Sequence, residues 1–183
     1  MQEINPLEAH GAAAPVLGSV GQALFNASKL SAILGGLVFV AIVLMSIVSI
    51  VGRKLLAAPV PGDVEMLQMA AAFASASFFA YCHLNGGDVK VDFFTAHASA
   101  TTVHRLDAFG SLLVGLFGAV ITWRAAVGAM AIKSAGETSM ILGLPVWVAQ
   151  VLMVPGFLLL ALAGFYMVGR HLSLSCKATG APA

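Results

Sequence analysis

The sequence predicts an all-α integral membrane fold, with four transmembrane helices and short interfacial segments. Of its 183 residues, 60% are hydrophobic and only 9% are charged, whereas soluble domains carry about 25% charged residues. A soluble chain of this length could not cover so much apolar surface with polar side chains. Its apolar runs approach or exceed the roughly 20 residues that a helix needs to span a bilayer. They lack the alternation over about ten residues that marks the strands of a membrane barrel.

The first apolar run extends from Leu30 to Val51 without a charge, and Arg53 and Lys54 close it. A signal peptide has a shorter apolar core behind a basic start, followed by a cleavage site with small residues. This run is longer, and residues 1–29 before it contain a single Lys or Arg, which is Lys29. We therefore expect a retained transmembrane helix.

The second run, from Val64 to Leu84, follows a segment that is interrupted by Pro59, Pro61 and Gly62. Asp63 stands directly before the run, where a helix N-cap is expected and where a carboxylate suits the helix dipole. Small side chains let helices approach closely in lipid, so we expect this helix to pack against protein on more than one side. The small residues that predict this packing are Ala70, Ala71, Ala72, Ala74, Ser75, Ala76 and Ser77.

The third run extends from Ala108 to Ile132 and contains one charge, Arg124. The fourth run extends from Val146 to Gly169 and is uncharged, with Gln150 as a polar residue inside it. Both runs are long enough to span the bilayer as helices, which satisfy all their backbone hydrogen bonds internally.

Residues 1–29 are expected to form a cytoplasmic lead, residues 30–169 the four-helix membrane domain, and residues 170–183 a cytoplasmic tail. Two segments contain apolar residues of the kind that lie along a membrane surface. In each case the alternative is a plain polar loop with a few buried anchors. The residues are Val16, Leu17, Val20, Leu24 and Phe25 in the lead, and Val89, Val91, Phe93 and Phe94 between the second and third runs.

Four spans place both termini on the same side of the membrane, and the distribution of Lys and Arg residues predicts which side that is. The side of the termini has five such residues, Lys29, Lys90, Arg105, Arg170 and Lys177, and the opposite side has three, Arg53, Lys54 and Lys133. This excess favours cytoplasmic termini. We therefore expect a multi-pass protein of the bacterial inner membrane.

Composition and motifs argue against several classes of function. The formal net charge of +1, with scattered basic residues, does not provide the positive field that nucleic acid requires. Cys82 and Cys176 form no CxxC or Cys/His cluster, so a zinc site is not expected. GxSxG and HExxH are absent, and the pair of Asp88 and Asp92 is a weak signal. We expect no enzyme, and no catalytic, substrate-binding or metal-binding residue.

Arg124 lies inside the third run, where a charged side chain needs a partner or a route to water. With cytoplasmic termini it lies toward the periplasmic face, where Glu65 opens the second run. The two can pair, with Arg53 competing for Glu65; alternatively, Arg124 reaches the lipid headgroups and Glu65 is solvated. The runs otherwise lack the broken helices and midplane charges of a transporter core. The chain is therefore expected to partner a transporting subunit rather than to form the conduit.

A haem-binding membrane anchor of an electron-transfer complex is the competing hypothesis. His83 ends the second run and His171 ends the fourth, on the same predicted side. Two facing histidines in a helical bundle can ligate haem iron. Both residues lie at helix ends, however, where basic side chains complement the helix dipole, and this weighs against haem.

Three short segments carry a further pattern. Arg53 is followed by PVPGDVEMLQM, residues 59–69, with Glu65 at the start of the second run. The segment NGGDVKVDFF, residues 85–94, joins a Gly-rich connection to a Val-x-Val-Asp element, and GETSMILGLPVW, residues 136–147, approaches the fourth run through Leu-x-x-Pro-x-Trp. In this order and spacing the segments resemble the small permease subunit of tripartite ATP-independent periplasmic (TRAP) transporters.

The resemblance covers about Leu30 to Gly169 and departs from the family at two places. Asp88 stands where many relatives have a histidine, and Gly62 or Asp63 stands where many have a tryptophan. The resemblance implies a scaffold for a large permease subunit, which takes up an organic acid from a periplasmic solute-binding protein and uses a sodium gradient. It implies no cofactor bound by this chain.

The resemblance and the residue pattern together indicate candidate interface residues. The structural or interface candidates are Arg53, Glu65, Arg124, Pro145 and Trp147, and the candidates for docking the binding protein are Lys133 and Glu137. The alternative for the last two is that they are ordinary loop charges.

Overall fold

The computed structural model describes residues 18–55, 60–87 and 100–179 and contains four α-helices. In chain order they are α1 (Ser19–Leu55), α2 (Asp63–Leu84), α3 (Ala100–Ala135) and α4 (Val146–Thr179). Each helix contains a stretch long and apolar enough to cross a membrane. The predicted all-α class with four transmembrane helices is confirmed. In the part of the chain that the structure describes, extended pairing is limited to one isolated bridge between Thr138 and Pro145.

Three helices extend beyond the apolar runs from which they were predicted. α1 begins at Ser19 rather than near Leu30, α3 begins at Ala100 rather than Ala108, and α4 continues past Gly169. Hydropathy marks only the length inside the hydrocarbon, whereas a helix continues into polar flanks until a poor helix former stops it. The apolar runs therefore identified the helices but underestimated their lengths.

The start of α1 differs from the surface segment considered for the lead. Leu24 and Phe25 belong to the continuous helix α1, and they pack against the buried cluster of Leu84, Ala163 and Met167. These apolar residues therefore join α1 to α2 and α4. The other predicted surface segment, Val89 to Phe94, lies outside the described residues.

Helices α2 and α4 form the centre of the bundle. α2 packs between α1 and α4, α4 also contacts α3, and among the described elements α3 packs on α4 alone. On α2, the side chains of Ala74, Ala76 and Ala80 are buried. This confirms the prediction that the small residues of the second helix pack against protein on more than one side.

Glycines allow the helix backbones to approach closely. A methyl group placed on Gly164 of α4 would lie 2.5 Å from the Cα atom of Gly115 on α3. A methyl group on Gly156 would lie 2.6 Å from the carbonyl oxygen of Ala76 on α2. Such small-residue contacts are the usual basis of helix association in lipid, where the apolar solvent provides no hydrophobic driving force.

The outer faces of α1 and α3 are apolar and exposed. On α1, Leu37 is 64% exposed, and on α3, Phe117 is 61% and Trp123 71% exposed. Extended apolar faces of this kind are unstable in water and fit lipid or another protein. The bundle is therefore closely packed inside and apolar outside.

Candidate functional site

The polar contacts between distant segments concentrate where the α1–α2 connection meets the α3–α4 loop. We call this region the loop end, and it comprises residues 49–65 and 133–147, of which 56–59 lie outside the described residues. Both segments come from the side of the bundle opposite to the start of α1 and the end of α4. Six of the seven candidate residues lie in these two segments, and Arg124 lies inside α3.

The first residue of α2, Asp63, faces α1. The Ser49 hydroxyl donates a hydrogen bond of 2.6 Å to its carboxylate, and Arg53 donates one of 3.3 Å. The backbone N–H of Val64 donates to the other oxygen at 2.9 Å. The prediction that Asp63 is the N-cap is wrong, because the N-cap is Gly62, whose positive φ of 71° turns the chain one residue earlier.

Ser49 connects α1 to the start of α2. Its side chain is buried, and its hydroxyl also accepts a hydrogen bond of 3.3 Å from the backbone N–H of Val60. Sequence reasoning overlooked Ser49 because it is one small residue inside an apolar run. The available signal was its spacing of four from Arg53, which places both side chains on one helix face.

Glu65 holds the α3–α4 loop. Its carboxylate accepts hydrogen bonds from the backbone N–H of Ile141 at 2.9 Å and of Leu142 at 3.1 Å. Arg53 pairs with Asp63 at 3.3 Å. Within the described ranges no ion pair joins Glu65 to Arg124, because Arg124 is exposed on α3 and that helix does not pack on α2. The structure therefore brings Arg53 and Glu65 to one end without placing Arg124 beside them.

The loop from Gly136 to Pro145 is held by its own hydrogen bonds. The Ser139 N–H donates to the Leu144 carbonyl at 2.8 Å, and the Leu144 N–H donates to the Ser139 hydroxyl at 3.2 Å. Gly143, with φ of 65°, closes the turn. The loop presents Met140, which is 99% exposed, at its tip. An ordered loop with an apolar tip fits contact with another protein or with the lipid surface.

The remaining candidates lie within this loop or beside it. The ammonium group of Lys133 lies 4.9 Å from the centre of the Trp147 ring, a cation–π contact that joins the end of α3 to the start of α4. The Pro145 carbonyl accepts a hydrogen bond of 3.1 Å from the N–H of Val148 in the first turn of α4. Glu137 is exposed. Trp147 and Pro145 therefore shape the loop end, and Glu137 faces outward from it.

Grooves run between the helices, and two of them differ clearly in polarity. One, between α1, α2 and α4, is lined by apolar residues that include Ile42, Met66 and Phe73. The other lies near the loop end and includes the polar side chains of Glu65 and Gln150. The polar lining thus belongs to the end of the bundle, where Glu65 already binds the loop.

The opposite end of the bundle has a separate group of titratable residues. His104 and Asp107 on α3 and His171 on α4 have ligand atoms that all lie within 4.8 Å of one another. The ring of His104 lies 6.3 Å from that of His171, centre to centre. Sequence reasoning considered His171 together with His83 and overlooked His104 and Asp107. The signal for these two was their spacing of three, which places them on one helix face.

Comparison with known proteins identifies one family. The family model described as "Tripartite ATP-independent periplasmic transporters, DctQ component" matches residues 42–174. The match begins inside α1, ends near the end of α4, and includes every candidate residue of the loop end. No curated protein and no solved structure matches the chain. The comparisons lend no support to the alternative of a haem-binding anchor.

Proposed function

This chain belongs to the family of DctQ components of tripartite ATP-independent periplasmic (TRAP) transporters, and we propose that it scaffolds the large permease subunit in the membrane. Members of this family are components of membrane transporters, and the family is not one of enzymes. In this proposal the large subunit moves an organic acid that a periplasmic solute-binding protein delivers, and a sodium gradient drives the uptake.

The packing between the helices is the observation that supports a scaffold over a conduit. α3 meets α4 at Gly115 and Gly164, and α2 meets α4 at Ala76 and Gly156, with backbones too close for an added methyl group. A solute pathway needs polar groups or broken helices near the bilayer midplane. The described helices are continuous there, and the groove between α1, α2 and α4 is apolar.

The exposed apolar faces of α1 and α3 support a role in which the bundle contacts lipid and another membrane subunit. They offer two surfaces, one for lipid and one for the large subunit, on opposite sides of the central pair α2 and α4. A rigid four-helix unit between lipid and the large subunit would widen the membrane-embedded footprint of the complex.

We propose that the protein lies in the bacterial inner membrane. Both termini then face the cytoplasm, as the positive-inside rule favours. The loop end then faces the periplasm, where Lys133 and Glu137 can meet the binding protein. Glu137 is exposed, and the Lys133 side chain lies over Trp147 at the edge of the same surface.

Reconstitution tests the scaffold. The chain, its large permease subunit and the binding protein are incorporated into vesicles with an inward sodium gradient, and uptake of the organic acid is measured with each component omitted in turn. We expect this chain to co-purify with the large subunit and uptake to require both. Full uptake by this chain without the large subunit would contradict the scaffold.

Labelling tests the orientation. In a background with Cys82→Ser and Cys176→Ser, Met140→Cys is compared with Ser173→Cys, which replaces an exposed residue at the other end of the bundle. In intact cells, we expect a membrane-impermeant maleimide to label the cysteine at residue 140 and not the cysteine at residue 173. After permeabilisation, the cysteine at residue 173 should also be labelled. The reverse pattern would place the termini in the periplasm.

Charge reversal tests docking. Glu137→Lys and Lys133→Glu should slow binding-protein-dependent uptake, while Lys54→Glu, at another exposed position of the loop end, should leave it near the parent rate. Equal effects of all three would indicate a general field rather than a docking site.

A further inference from the structure

Three residues at the end of the bundle opposite the loop end form a pattern typical of metal ligands. His104 and Asp107 lie three residues apart on α3, so their side chains share one face. His171 faces them from α4, with its Nδ1 atom 3.9 Å from the Oδ2 atom of Asp107. The ligand atoms of all three lie within 4.8 Å of one another. Two imidazoles and one carboxylate therefore converge on one point from two packed helices.

The group is largely withdrawn from solvent. The side chain of His171 is 11% exposed and that of Asp107 is 22% exposed. The Nδ1 atom of His104 is buried, and among the described residues it has no hydrogen-bond partner. Buried polar atoms in folded proteins nearly always have a hydrogen-bond partner, and a buried polar atom without one destabilises the fold. A metal ion between the two histidines would provide the missing partner.

The distances are compatible with coordination. Two ligand atoms bound at about 2.1 Å to a tetrahedral zinc ion lie roughly 3.4 Å apart. The ligand atoms of the three residues lie within 4.8 Å of one another, and we expect small rotations of the side chains to bring them to the shorter distance when an ion binds. Because the residues sit on regular helices that pack against each other, the backbone positions are already fixed.

The ligand types define the ion. Imidazole nitrogen suits zinc, copper, nickel and iron, whereas magnesium prefers oxygen ligands alone. Three protein ligands leave a fourth position for water or for a group from another subunit. The absence of a Cys/His motif made a zinc site unexpected from the sequence. This group uses no cysteine, and His171 lies far along the chain from the two ligands on α3.

We propose that His104, Asp107 and His171 bind a divalent transition metal ion of the zinc type, which fastens the start of α3 to the end of α4. The fastening has a structural purpose, because among the described elements α3 packs on α4 alone. With the ion bound, the start of α3 gains a link to the end of α4, in addition to the glycine contact of Gly115 and Gly164 and the contact of Lys133 with Trp147 at the other end of α3. The proposal does not depend on the scaffold role.

Metal binding to the whole chain tests the proposal. The tag-free protein is purified in detergent with His10→Gln and His97→Gln, which removes two of the other three imidazoles. Binding of Zn²⁺ alone is measured by calorimetry, and Co²⁺ is used as a spectroscopic probe of tetrahedral coordination. We expect one ion per chain and a rise in Tm with Zn²⁺, because a ligand that binds only the folded state stabilises it.

Variants identify the ligands. Loss of a group that merely orients a metal ligand weakens binding by about 10–100-fold, so loss of a ligand should do no less. His104→Ala, His171→Ala and Asp107→Asn should each weaken Zn²⁺ binding by at least that factor and remove the rise in Tm. His83→Gln, a change of a buried histidine outside the group, should leave the Zn²⁺ affinity unchanged.

Circular dichroism and gel filtration establish that each variant is folded. The proposal is overturned if the parent shows no saturable Zn²⁺ binding, or if folded variants of the three ligands bind it as tightly as the parent. It is also overturned if Mg²⁺ raises the Tm as much as Zn²⁺, since two imidazoles do not favour magnesium.

Discussion

The carboxylate of Glu65 accepts a hydrogen bond of 2.9 Å from the backbone N–H of Ile141, 76 residues further along the chain. The second carboxylate oxygen accepts a hydrogen bond from the N–H of Leu142, so both oxygens of Glu65 bind the loop backbone. Glu65 therefore joins the start of α2 to the loop between α3 and α4, although α2 and α3 do not pack against each other. The acidic residue that the sequence indicated as an interface candidate serves first to position this loop.

Glu65→Ala should loosen the loop while leaving the bundle intact. The Ile141 and Leu142 amides would lose their acceptor, and we expect their hydrogen exchange to accelerate by about tenfold or more. Exchange in the middle of α2 and α4 should not change. Glu137→Ala is the matched control, because it removes an exposed acid from the same loop. Unchanged protection at residues 141 and 142 would show that the contact does not hold the loop.

Glu65→Gln and Arg124→Gln should act independently. Their side chains form no ion pair in the described structure, and Arg124 is exposed on the one helix that does not contact α2. Independent sites have additive effects on the free energy of unfolding and on assembly with the large subunit. A double variant that costs clearly less than the sum of the two single variants would show that the residues meet in the complex.

Ser49→Ala should destabilise the protein by about 1–2 kcal/mol, because the buried hydroxyl joins α1 to both Val60 and Asp63. Ser46→Ala is the matched control on the same helix. Its hydroxyl bonds to the Ile42 carbonyl within α1, so we expect a change below about 0.5 kcal/mol. The free energy of unfolding in detergent measures both. Equal effects would mean that the contacts of Ser49 across the connection contribute nothing.

Gly164→Ala should weaken the contact between α3 and α4. The added methyl group would lie against the Gly115 backbone, and we expect a loss of about 1–3 kcal/mol in the free energy of unfolding. At Gly169, five residues further along α4, nothing lies within 4 Å of an added methyl group. Gly169→Ala should therefore be neutral or stabilise by up to about 1 kcal/mol, since alanine favours helix. A stabilising Gly164→Ala would refute close backbone packing.

The predictable parts of the fold are those that the bilayer itself imposes. Only helices satisfy their backbone groups within a single apolar segment, so four long apolar runs were enough to predict four helices. The small residues of the second run likewise predicted close packing, because lipid gives helices little other reason to associate. The starts of α1 and α3 and the end of α4 were misplaced, because these helices continue into polar flanking residues that hydropathy does not mark.

The partners of the candidate residues were less predictable. Glu65 was identified by its position at the start of the second run, but its partners are backbone N–H groups of Ile141 and Leu142. Such groups occur at nearly every residue and leave no trace in the side-chain sequence. A charged partner, Arg124, was the more conspicuous choice, and the order of the helices in space keeps it away.

The sequence by itself determined that the apolar surface of this protein faces lipid, that the described part of the chain has four helices able to span a membrane, and that the chain resembles a transporter subunit. Apolar run length and short motifs are properties of consecutive residues. Only the tertiary structure decided that Asp63 turns to Ser49, that Glu65 holds a distant loop, and that His104 and Asp107 meet His171. These contacts depend on which helix packs beside which. That order is set by the combined fit of small residues over whole helix faces, and no single segment contains it.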